Sequence, residues 1–94
     1  MIVSQRIRRI VAERMPGSRG DEVIGLLESL GGDSFFDKQD PDRIAAAVIT
    51  DALEIEDMDI VSEDARGDFR DLLMGTGLAG EDWREVMDGR FGAA

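Results

Sequence analysis

Apolar residues recur at three- and four-residue intervals through most of this chain, and no stretch of strict apolar/polar alternation outlasts a few positions. That spacing is the signature of amphipathic helices. Ser4 is placed to cap a first helix from Gln5 to about Met15. Ile7, Ile10, Val11 and Arg14-Met15 fall at helical spacing, with Arg6, Arg8, Arg9 and Glu13 mostly on the other face. Pro16-Gly17 ends it, and MPGSRG reads as a loop. Asp21 begins a second helix that carries Val23, Ile24, Leu27 and Leu30 inward and stops at Gly31-Gly32. Asp33 to Gln39 has no regular pattern.

Asp40-Pro41 is a strong helix start, with an aspartate at the N-cap and a proline where a missing N–H is no loss. The predicted helix runs to about Glu56. Ile44, Val48, Ala52 and Ile55 make one stripe, and Ala45, Ile49 and Leu53 widen it until burial on more than one side is implied. Asp57 to Val61 reads as a link. Ser62 caps a helix from Glu63 to about Met74, with Ala65, Phe69, Leu72 and Leu73 inward and Gly75 and Gly77 at its end. A last helix, Glu81 to about Asp88, shows Trp83, Val86 and Met87 on one side, a stripe that reads as core rather than as a docking patch. The expectation is a single all-α domain over 1–94, a small bundle of four to five helices with short connections.

Composition narrows the function classes. The net charge is −10 and unevenly spread: residues 1–20 hold five arginines against one acid, whereas residues 21–94 hold twenty acids against six basic residues. Such a surface repels nucleic acid and anionic membranes and steers toward basic protein surfaces. No apolar run approaches the roughly 20 residues of a membrane span, and MIVSQRIRR has no signal-peptide core. A cytoplasmic monomer is expected. Cysteine is absent, so there is no disulfide or thiol nucleophile, and histidine is absent, which removes the commonest general base and metal ligand. An enzyme is not expected. The block GDSF echoes small serine esterases, but that chemistry needs a base for the serine proton and a preceding strand, and the sequence offers neither. The acidic run Glu54 to Asp64, EIEDMDIVSED, fails the calcium-loop pattern, which needs a glycine at its sixth position, and reads as a solvated face.

One stretch presents a side chain rather than burying it: LLESLGGDSFF, Leu26 to Phe36, with Ser34 past a glycine turn beside Asp33. LLESLGGDSF resembles the segment around the modified serine of acyl and peptidyl carrier proteins. RIRRIVAERM (Arg6 to Met15) is similar to that family's first helix, and ALEIEDMDIVSEDA (Ala52 to Ala65) to the end of its second helix and the approach to its last. The likeness spans most of residues 6–74. About eight extra residues separate Ser34 from Ala52, residues 21–30 are helical where carriers have a loop, and a further helix lies within 78–91. The resemblance implies a carrier-like bundle with 4'-phosphopantetheine attached to Ser34, holding acyl or aminoacyl thioesters, as in fatty acid or polyketide biosynthesis. Asp33 would assist a phosphopantetheinyl transferase and its metal, and Glu54 and Glu56 would dock on basic partner enzymes. Two alternatives stay open. Ser34 merely turns the chain through a side-chain hydrogen bond, or the protein is an acidic helical binding module, such as an inhibitor, immunity or adaptor protein, with no prosthetic group.

Overall fold

The computed structural model describes residues 1–31 and 39–93. Among them are six α-helices and no strand: α1 (Gln5–Arg14), α2 (Ser18–Ser29), α3 (Pro41–Glu54), α4 (Met58–Arg66), α5 (Phe69–Thr76) and α6 (Trp83–Phe91). The architecture is a small all-helical bundle with a Cα radius of gyration of 12.0 Å.

Short polar caps start most of these helices. The Ser4 hydroxyl accepts from the Ile7 N–H at 3.2 Å. Asp40, Asp57 and Asp68 each accept from the N–H two residues on, at 2.9 Å in all three cases. Each carboxylate thereby satisfies an amide left without an intrahelical partner and sits at the positive end of the helix dipole.

Asp57 and Asp68 account for the difference from the expected helix count. The single predicted helix from Glu63 to Met74 is two. Gly67 leaves helical geometry with φ −82° and ψ −151°, and Asp68 restarts the chain as the cap of α5. Ser62 therefore lies inside α4 rather than capping it, and the predicted link Asp57–Val61 is the cap and first turn of α4. At its C-terminus α5 closes on Gly77, which takes the left-handed conformation at φ +79°. Two other boundaries move. α2 begins at Ser18 without a side-chain cap, placing Asp21 in its first turn, and α6 begins at Trp83 and extends to Phe91.

α3 is the axis of the bundle, and all five other helices pack against it. Every residue from Ile44 to Thr50 is buried, so the wide apolar stripe is an all-round one. Around it lie Ile7, Ile10 and Val11 of α1, Val23, Leu26 and Leu27 of α2, Val61 and Ala65 of α4, Leu72 and Leu73 of α5, and Trp83 and Met87 of α6. Burying each large aliphatic side chain contributes about 1.5–3 kcal/mol. The Trp83 stripe is thus core, as its spacing indicates, while Leu53 of the predicted α3 stripe is 45% exposed.

Arginines fasten the helices at their C-terminal ends. The Arg19 guanidinium donates to the carbonyls of Ala52, Ile55 and Glu56 and closes the end of α3. Arg43 donates to Leu78 O and Ala79 O, joining α3 to the α5–α6 connection. Arg90 donates to Thr50 Oγ1 and Thr76 O, tying α6 to α3 and to the end of α5. Arg6 donates to Asp88 at 2.6 Å and to Gly92 O, tying α1 to α6. These cations are directed at exposed carbonyl ends, where a positive charge complements the helix dipole.

Candidate functional site

Of the residues singled out from sequence, Asp33 and Ser34 lie outside the described residues. The chain enters their segment from buried Leu30 and from Gly31, whose φ of +110° is open to glycine alone without strain. It leaves through Asp40, whose carboxylate caps α3 and also receives Arg84 at 3.4 Å. Glu54 and Glu56 are both exposed, but they sit at the far end of α3. Fourteen helical residues span about 20 Å. The two glutamates therefore stand about a helix length from Asp40, at the end that Arg19 closes.

The most strongly charged feature lies elsewhere. A cleft of about 300 Å³ opens between α3, α4 and α5, lined by Asp51, Glu63, Asp64, Asp68 and Asp71. Its floor includes Leu72, Gly75 and Thr76. No arginine or lysine among the described residues lines it. The neighbouring guanidiniums are engaged elsewhere: Arg66 with the hydroxyls of Ser62 and Ser29, Arg70 with the Asp68 carboxylate at 3.1 Å, and Arg90 with Thr50 and Thr76. Arg70 holds the Asp68 carboxyl below its ordinary 3.8 by hydrogen bonding to it.

Asp51 behaves in the opposite sense. It projects from the buried α3 toward Asp64 of α4, and its Oδ2 is buried with no hydrogen-bond partner among the described residues. Burial pushes its carboxyl up from 3.8 to about 6, and hydrogen bonding with Asp64, then the charges of Asp64 and Glu54, push in the same direction. A carboxylate there would face a second carboxylate across a partly dry contact, which favours a retained proton. This pair was not legible in the acidic run Glu54 to Asp64, because Asp51 precedes it. The signal that marks it is an acid that directly follows the apolar run IAAAVIT inside a helix.

Among the described residues no group of three or more carboxylates is arranged to hold a metal ion, and no helix is long and apolar enough to cross a membrane. Comparison with protein-family models, curated proteins and solved structures finds no match.

Proposed function

We propose that this protein is a carrier that holds acyl or aminoacyl groups as thioesters on a 4'-phosphopantetheine arm attached to Ser34, and that it docks on basic partner enzymes through carboxylates that include Glu54 and Glu56. The observation that carries the reading is the run LLESLGGDSF with its carrier-like flanks in a small acidic helical chain. Gly31 at positive φ and the capped start of α3 at Asp40-Pro41 stand on either side of the serine segment. In this reading the protein performs no chemistry. The serine oxygen displaces the adenosine bisphosphate half of coenzyme A in a reaction catalysed by the transferase, with Asp33 assisting the metal. The test is incubation with a broad phosphopantetheinyl transferase, coenzyme A and magnesium, read by intact mass. A gain of one phosphopantetheine, lost in Ser34→Ala, is expected. No gain, or a gain that survives Ser34→Ala, refutes the assignment.

A second reading rests on a different observation. Arg19, Arg43 and Arg90 are turned onto backbone carbonyls at or just past helix ends, and carboxylates of α4 and α5 line an open cleft. α3, which carriers of this type would present behind the serine, is instead wrapped by five helices. This arrangement suits an acidic binding module that covers a basic protein surface without a prosthetic group. Co-purification of one stoichiometric basic partner, released by salt and indifferent to Ser34→Ala, supports it. Loss of that binding in Ser34→Ala excludes it.

A further inference from the structure

The Asp51–Asp64 contact has a chemical consequence independent of Ser34. Asp51 is anchored in the helix at the centre of the fold, and Asp64 belongs to α4, one wall of the acidic cleft. Two carboxyl groups can pack against each other when one proton lies between them, because one then donates to the other. With both ionised, the contact sets two like charges side by side, with Asp51 Oδ2 buried and lacking a donor. The surroundings offer no relief. Facing the pair are Glu54 on α3, Glu63 on α4, and Asp68 and Asp71 on α5, all acidic. Of the cations nearby, Arg66 at the end of α4 is turned onto the hydroxyls of Ser62 and Ser29, Arg70 is bound to Asp68, and Arg90 to Thr50 and Thr76.

We propose that Asp51 and Asp64 form a proton-operated clasp, which holds α4 against α3 while one proton is shared between them and loosens the α4 edge when that proton passes to solvent. The direction of the pH dependence follows from the folded protein binding this proton more tightly than the unfolded chain. The stabilisation is complete below 3.8, the ordinary value, and is lost as pH rises through about 6, the value in the fold. Near-neutral solution therefore leaves the clasp open and mildly acidic solution closes it. The acidic wall of the cleft, Glu63 and Asp64 with it, becomes the part of the surface whose order depends on pH.

The test is a pH series from 5 to 8 on the full chain. The Asp51 side-chain carboxyl is titrated by ¹³C NMR, and amide hydrogen exchange in α4 is measured relative to α1, corrected for the intrinsic rate. Asp51 is expected to titrate near 6. Protection of α4 relative to α1 is expected to fall by about tenfold across the series. The hundredfold limit implied by the distance from 3.8 to about 6 is reduced because the pair is partly solvated. Asp51→Asn keeps a donor facing Asp64 and carries no titrating proton, so its α4 protection should stay high and flat. Asp64→Asn should bring the Asp51 titration down. An Asp51 carboxyl titrating near 3.8 in the unmodified protein overturns the proposal, as does a flat α4 profile there. A pH dependence that persists in Asp51→Asn overturns it too. The first two readings need no variant to fold.

Discussion

One helix contains two glycines for which the same substitution should have opposite signs. Gly20 and Gly25 both lie in α2. Replacing either by alanine removes backbone freedom from the unfolded chain and improves helix propensity, a gain of about 0.8–1 kcal/mol. At Gly25 nothing lies within 4 Å of the added methyl, so the gain is kept. At Gly20 the methyl would stand 2.2 Å from the Met15 carbonyl oxygen and 3.1 Å from Val11 Cγ1. The first of these is backbone at the α1–α2 turn, which cannot rotate aside as a long side chain does. Crowding of this kind costs about 1–3 kcal/mol, occasionally more. Gly20→Ala should therefore come out destabilised by up to about 2 kcal/mol, and the two variants should differ by the crowding cost itself, about 1–3 kcal/mol. In a domain of this size that separation amounts to roughly 5–20 °C in Tm. Urea denaturation followed by far-UV circular dichroism measures both, with the slope against denaturant expected to stay constant. If Gly20→Ala is as stable as Gly25→Ala, the close approach of α2 to the end of α1 is wrong, and so is the placement of the first two helices.

Two further predictions test the ends of α3 and α5. Arg19→Met keeps the apolar stem but removes the donors to the carbonyls of Ala52, Ile55 and Glu56. A loss of about 2–3 kcal/mol is expected from hydrogen bonds to a charged donor at a partly buried helix end, and an unchanged urea midpoint would show that water serves those carbonyls equally well. Gly77→Ala places a side chain at φ +79°, 3.4 Å from Arg90 Nη2, and should cost about 1–2 kcal/mol by thermal melting; a neutral result would mean that α5 ends in some other conformation.

Much of the fold is readable before any coordinates, for local reasons. Ser4 and Asp40-Pro41 announce the starts of α1 and α3 because capping depends on residues within one turn. The buried stripes of α1 and α3 follow from spacing alone. The break at Gly67 was less legible. Phe69, Leu72 and Leu73 continue the period of Ala65 closely enough to read as one helix, and only the extended backbone at Gly67 and the Asp68 cap divide it. Leu53 was misplaced because a helix surrounded by five others still has an end that reaches solvent, and periodicity does not say where that end falls.

For the candidate sites the division is sharper. Ser34 and Asp33 were picked out by a short run of residue types, a property of the sequence alone. The pairing of Asp51 with Asp64, and the joint use of Arg19, Arg43 and Arg90 as clamps on distant helix ends, depend on residues 13 to 40 positions apart in the chain. By itself the sequence determined that this chain is all-helical, where α1 and α3 begin, and that its surface is strongly acidic, because these follow from local propensity, capping and composition. Only the tertiary structure decided that α3 is the buried axis, that Arg19, Arg43 and Arg90 are turned onto distant backbone carbonyls, and that two aspartates share a partly dry contact. Desolvation and charge proximity arise when separate helices pack, and no local pattern encodes them.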